Sequence, residues 1–180
     1  LFRKTAHPKT FLRFVDFLKP PHVLIENVTG MLSIENGGVV QSLLETLKNF
    51  GYSTRLGILQ AGHYGLPQNR WRVFVWAALA QNALPTFPFP THEFPRTTVF
   101  GATKFRDSVV KAPKVAESMF WKLNPKVTVR DAIGDLPEIA NGARQETLPH
   151  VTSPSSDYQR KLRGNNTTVW DHVATRLTDI

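Results

Sequence analysis

Pro20-Pro21-His22-Val23-Leu24-Ile25-Glu26-Asn27-Val28-Thr29-Gly30-Met31 is the stretch on which the fold turns. Val23, Leu24 and Ile25 form a continuous apolar run with β-branched members, which predicts a short strand over 22–26 covered on both faces. Pro20 and Pro21 stop whatever precedes it. The strand delivers a carboxylate, Glu26, and an amide, Asn27, at its C-terminal end. In open α/β sheets that edge is where ligands bind. An acid at the mouth of an apolar strand is costly to bury alone, so Glu26 calls for a basic partner or a substrate.

The candidate partner lies in Tyr64-Gly65-Leu66-Pro67-Gln68-Asn69-Arg70-Trp71-Arg72, which runs into a second apolar strand over 71–79. Gln68, Arg70 and Arg72 alternate at spacing two, which in an extended segment puts all three on one face. An acid at one strand end and two arginines at another make a polar cluster on an otherwise apolar sheet. The same letters also suit plainer roles. Glu26 and Arg72 suit a buried ion pair, Arg70 a solvated surface, Asn27 a cap for the following turn, and Pro67 a turn residue. His63 and Tyr64 read as structural.

Around these motifs the order is helix, strand, helix, strand, loop, strand, part of an α/β unit. Thr10 is placed to cap a helix over 11–19 with the stripe Phe11, Leu12, Phe14, Val15 and Leu18. Residues 29–38 read as a loop turning at Asn36-Gly37-Gly38. Val39, Val40, Leu43, Leu44, Leu47 and Phe50 form one face of a helix over 39–50. Gly51 is suited to end it in a left-handed conformation. A strand over 52–60 follows. Three strands and two helices are too few for a complete doubly wound sheet, so the rest is expected upstream, and the chain reads as an internal piece of a longer polypeptide.

Composition shifts after residue 84. Pro85, Pro88, Pro90 and Pro95 fall in one short stretch, which predicts an extended, semi-rigid connector. The boundary is placed there: 1–84 as one domain, 85–180 as the connector and a second region. In the latter, Val127–Val129 reads as a short strand and Thr128 as the cap of a helical turn over 129–135. Asn141-Gly142 and Arg163-Gly164-Asn165-Asn166 read as turns. Asp131 and Asp135, at i and i+4, read as a helix cap and a surface acid rather than a metal site.

A net charge of +8 favours an anionic partner such as nucleic acid. There is no cysteine, so disulfides and thiolate metal sites are excluded within this chain. No run approaches the roughly 18 apolar residues that span a membrane. Lys104, Arg106, Lys111 and Lys114 form a loose basic stretch best read as surface.

Glu26-Asn27-Val28 and, downstream, Gln68-x-Arg70-x-Arg72 resemble two signature motifs of the DNA (cytosine-5) methyltransferases. Either is weak alone, but both, in order and on strand ends, are specific. The second region resembles the target-recognition region of eukaryotic maintenance-type members, through Leu84-Pro85-x-Phe87-Pro88-x-Pro90-x-His92, Thr128-Val129-Arg130-Asp131, Asp135-Leu136-Pro137-Glu138, Asn141-Gly142-Ala143 and Gln159-Arg160-Lys161-Leu162-Arg163-Gly164. The resemblance runs from about Phe11 to Gly164. Trp71 departs from it, being aromatic where a polar or basic residue is common.

The resemblance implies an α/β fold: part of a Rossmann-like, S-adenosylmethionine-dependent methyltransferase sheet, then part of an irregular, mostly β target-recognition region. It implies methyl transfer from S-adenosylmethionine to C5 of a flipped cytosine in double-stranded DNA, in a nuclear protein. By position in the motifs, Glu26 would meet the cytosine N3 and amine, and Asn27 would brace the nucleophile loop. Arg72 would reach the base O2 and the glutamate, Arg70 the backbone phosphate, and Gln68 the mouth of the base pocket. Arg160, Lys161 and Arg163 would contact phosphates; a solvated basic face is the alternative. The family's Pro-Cys nucleophile and Gly-rich cofactor loop are not in this sequence. They are expected upstream, and the chain alone is expected inactive. An RNA cytosine-5 methyltransferase and a catalytically dead nucleic-acid-binding module are the competing readings.

Overall fold

The computed structural model describes residues 6–95, 104–113 and 122–176. Helix α1 spans Ala6–Leu18, strand β1 His22–Val28, helix α2 Gly38–Asn49, strand β2 Tyr52–Gln60 and strand β3 Trp71–Leu79. The three strands form one sheet in the order β1-β3-β2. β3 pairs antiparallel with both neighbours, so β1 and β2 run the same way on either side of it. Val40, Leu43 and Leu47 of α2 lie in one core with Val23, Tyr52, Ile58, Val73, Val75 and Ala77 of the sheet. Each large aliphatic side chain buried there stabilises the fold by about 1.5–3 kcal/mol.

Antiparallel register fixes which residues share a face. Glu26 pairs with Phe74, and Phe74 with Gly57; Val28 pairs with Arg72, and Arg72 with Leu59. Glu26, Arg72, Phe74 and Gly57 therefore lie on one face, and Val23, Val73 and Val75 on the other. The second face is the one buried in the core.

Several expectations are corrected here. The strand predicted over 22–26 continues to Val28, because β3 offers partners as far as Arg72. It is not covered on both faces: Leu24 is 48% and Val28 50% exposed. α1 begins at Ala6, so Thr10 lies inside it rather than at its cap. Pro8 falls in the first turn, where a missing N–H costs nothing. Only Val15 of its stripe is fully buried, while Phe14 and Leu18 are exposed. The loop over 29–38 contains two short 3-10 turns that bury Met31 and Leu32. Its turn is made by positive φ at Glu35, Asn36 and Gly37. Gly51, at φ 91°, ends α2 as expected.

The Pro-rich connector is extended and packs against the sheet. Phe87 tilts over Phe74 and fills the space above Gly57, where a Cβ would meet its ring at 2.3 Å. Arg55 donates to the carbonyls of Leu84 and Pro85 at 3.3 and 2.6 Å. Tyr64 donates its hydroxyl to Pro88 O at 2.9 Å. Burial pushes the Tyr64 phenol up to about 12, which keeps it a neutral donor.

The second region holds helix α3, Val129–Ile133, strand β4, Thr147–Pro149, helix α4, Asp157–Arg163, and strand β5, Thr168–Trp170. β4 and β5 pair antiparallel. Among the described residues this region is irregular, with more helix than strand, so the mostly β expectation does not hold. Residue 127 is not in a strand.

Thr128 caps α3 as expected, through a full capping box. Its side chain accepts from Asp131 N at 3.2 Å, and its own N–H donates to Asp131 Oδ2 at 2.7 Å. The Thr128 hydroxyl and N–H hold the Asp131 carboxyl below its ordinary range. A depressed folded value means the box stabilises above the usual aspartate range and is lost as pH falls through the folded value. Thr128→Ala should cost α3 about 1 kcal/mol. The amide of Gly134, bonded to Arg130 O, should then exchange about five times faster near neutral pH, and acidification should narrow the difference, since only the carboxylate half of the box titrates.

Candidate active site

Arg72 Nε lies 2.7 Å from Glu26 Oε1, the contact that the resemblance of the two motifs implies. Glu26 sits diagonally from Arg72 across the β1–β3 ladder, within reach of long side chains. Arg72 is held a second time, donating through Nη1 to Trp71 O at 2.8 Å. Its side chain is 21% exposed, whereas that of Glu26 is 50% exposed. An ion pair this open contributes at most about 1 kcal/mol to stability. Its geometry instead leaves a fixed carboxylate with one side toward solvent, two residues from the end of β1, backed by a guanidinium pinned at two points. Such a group can accept from, or when protonated donate to, a planar heterocycle edge.

Asn27 faces the other way. Its Oδ1 accepts from Val28 N at 2.8 Å, close to the plainer capping role. Gln68 and Arg70 are exposed and lie in the loop before β3, not in the strand. The one-face argument from strand periodicity therefore covers Arg72 alone. Arg70 is held at the base of the loop through its backbone: Ala61 N donates to Arg70 O at 2.9 Å.

The three basic residues of α4 separate. Arg160 and Lys161 are exposed, with Arg160 paired to Asp157. Arg163 turns inward, donating to Thr152 O at 2.6 Å and Asn166 O at 3.1 Å. It lies 3.8 Å from Asp135, whose side chain is only 5% exposed. Asp135 is therefore not a surface acid. It is a buried carboxylate between Arg163 and His150, the latter at 4.0 Å. Among the described residues no group of acids and histidines could hold a metal ion. Lys104, Arg106 and Lys111 are exposed, and Lys114 lies outside the described residues.

Two features escape a motif-based reading. One is Gln60, buried at the end of β2 with its Nε2 donating to Asn69 Oδ1 at 2.7 Å. The other is a cavity of about 650 Å³ lined by His63, Trp71, Glu93, Phe94, Arg106 and Lys111 among others, and by neither Glu26 nor Arg72. His63 is tied into the connector, its carbonyl accepting from Thr91 N and His92 N at 2.8 and 3.0 Å.

Residues 9–176 match the model of the C-5 cytosine-specific DNA methylases. DNA (cytosine-5)-methyltransferase 4 of Arabidopsis thaliana is 35% identical over 94% of this chain and 11% of its own length. DNA (cytosine-5)-methyltransferase CMT2 of the same plant is 40% identical over 85% of this chain and 12% of its own length. The sea-urchin (Paracentrotus lividus) enzyme PliMCI is 35% identical over 98% and 11%. The chain thus spans roughly a tenth of the relatives it matches. A crystal structure of a DNA modification methyltransferase encoded within an E. coli prophage superposes with a TM-score of 0.52 at 20% identity, covering 89% of this chain and 40% of that one, a likeness of fold. With two motifs joined in one ion pair and the family match spanning nearly the whole sequence, this chain belongs to the C-5 cytosine-specific DNA methylase family.

Proposed function

We propose that the polypeptide carrying this chain transfers a methyl group to C5 of cytosine in double-stranded DNA, and that Glu26 and Arg72 hold the target base. The observation that carries the reading is the 2.7 Å contact between Arg72 and the half-exposed Glu26. Attack at the cytosine ring builds electron density that reaches N3. A carboxyl group held against N3 and the exocyclic amine stabilises that density. Arg72 orients the carboxyl group and offers further N–H donors to the base O2. The base must leave the duplex to reach this edge, costing a few kcal/mol. Gln68 and Arg70, exposed on the adjoining loop, would meet the pocket mouth and the backbone phosphate. Asn27 would brace the loop bearing the nucleophile.

The family implies a cysteine nucleophile and S-adenosylmethionine as methyl donor. This chain contains no cysteine, so the thiol comes from another part of the polypeptide. The cofactor is also a poor fit to the residues here. Of the left-handed glycines of the sheet domain, Gly37 is filled by Phe105, Gly65 by His92, and Gly51 closes α2. Gly51 alone of the three faces open space, and a single glycine at a helix end is not the Gly-rich loop that the family implies.

We place residues 1–84 in the C-terminal half of a Rossmann-like catalytic methyltransferase domain, and 85–180 in the Pro-rich connector and part of the target-recognition region. The exposed apolar face of α1 and β1 supports that placement. Arg160 and Lys161 face solvent and suit phosphate contacts; Arg163 serves the fold. The net positive charge suits DNA, and a DNA substrate in a eukaryote-like enzyme points to the nucleus. The resemblance of the second region favours a maintenance, CG-directed enzyme. The test is methyl transfer by the complete polypeptide to hemimethylated CG duplex, unmethylated duplex and transfer RNA. We expect 5-methylcytosine in DNA, fastest on hemimethylated duplex. Transfer to RNA alone would overturn the substrate assignment, and no transfer to any of them would overturn the activity.

A further inference from the structure

Gln60 is the last residue of β2 and pairs in register with Trp71, the first of β3. Between them runs the loop 61–70. Gln60 is 1% exposed. Its Nε2 donates to Asn69 Oδ1 at 2.7 Å, while its Oε1 is buried with no partner among the described residues. An apolar residue would fill this position without leaving a buried acceptor unmet. What the amide adds is a directional donor, and that donor reaches across the base of the loop to the residue between Gln68 and Arg70. Beside it, the backbone closes the same gap through Ala61 N and Arg70 O at 2.9 Å. Leu66 N donates to Ala61 O at 3.4 Å, and Gln68 N to Leu66 O at 2.8 Å, so the loop folds back onto its own stem. Gln60 sits on the core face of the sheet, opposite the face that carries Glu26 and Arg72, and touches neither.

We propose that Gln60 is a positioning residue, whose bond to Asn69 latches the loop 61–70 and so fixes Gln68, Arg70 and the start of β3 where the target base and its phosphate are held. The catalytic half of this inference rests on the methyl-transfer reading above. The latch itself does not. In the complete polypeptide, Gln60→Leu and Asn69→Ala should each raise amide exchange at Ala61, Leu66 and Gln68 about tenfold, with the amides of β1 and mid-β3 unchanged. Each should lower kcat by about ten- to a hundredfold with little change in KM for DNA. The double variant should lose no more than either single one. Asn69→Asp, which keeps the acceptor, should retain loop protection and most of kcat. Asn69 lies at the surface, so its variants test the latch even if Gln60→Leu does not fold. Unchanged loop exchange in Asn69→Ala, or losses that multiply in the double variant, would overturn the latch. Faster loop exchange with unaltered kcat would overturn its catalytic role. A wild-type protein without methyl transfer would overturn the reading of function, while exchange would still decide the latch.

Discussion

Glu26→Gln, made in the complete polypeptide, should slow methyl transfer by about a hundredfold or more while leaving affinity for DNA within a few-fold of wild type. The amide keeps the size of the side chain and can still accept from an amine. It removes the negative charge that Arg72 Nε meets at 2.7 Å, and it cannot deliver a proton to N3. Proton transfer or strong hydrogen bonding at a reacting ring contributes about 10²–10⁴-fold, and that is the part lost. DNA affinity resides chiefly in phosphate contacts, which Glu26 does not make. Single-turnover methylation and a filter-binding titration at the same salt separate the two. Unchanged turnover would remove Glu26 from the reaction.

Arg72→Ala should also cost about a hundredfold or more in turnover, with Lys104→Ala within about twofold of wild type. Arg72 is the better-buried partner and is anchored to Trp71 O, so it sets where the carboxylate points. Losing a preorganised donor near a reacting centre costs about 10²–10³-fold. Lys104 is exposed and carries the same charge. Equal losses in the two variants would mean that total charge matters and geometry does not. The thermal midpoint should move little in Arg72→Ala, because an ion pair half open to water contributes little stability.

The strands and the pair were largely legible in the letters. β2 and β3 are bounded where the apolar runs and Gly51 place them, and α2 where its stripe does. Strand order was not legible, because insertion of β3 between β1 and β2 is a tertiary choice that no local pattern encodes. The Glu26–Arg72 contact was foreseen from motif pairing, yet the reason for it is the diagonal register of β1 and β3. Leu24 was misplaced because an apolar run reads the same whether one face or both are covered. α4 was missed for lack of an apolar stripe: Leu162 is exposed, and the surviving signal is the capping box of Ser156 and Gln159. The burial of Asp135 depends on Arg163 and His150, distant in sequence, so its polarity argued for the surface.

A structure of the complete polypeptide bound to a duplex carrying its target cytosine decides whether Glu26 and Arg72 hold the base. The cytosine should lie outside the helix, its N3 within about 3 Å of the Glu26 carboxyl group, with Arg72 still on that carboxyl group from the other side. A flipped base held by other residues, with Glu26 and Arg72 turned away from its pocket, would contradict that assignment.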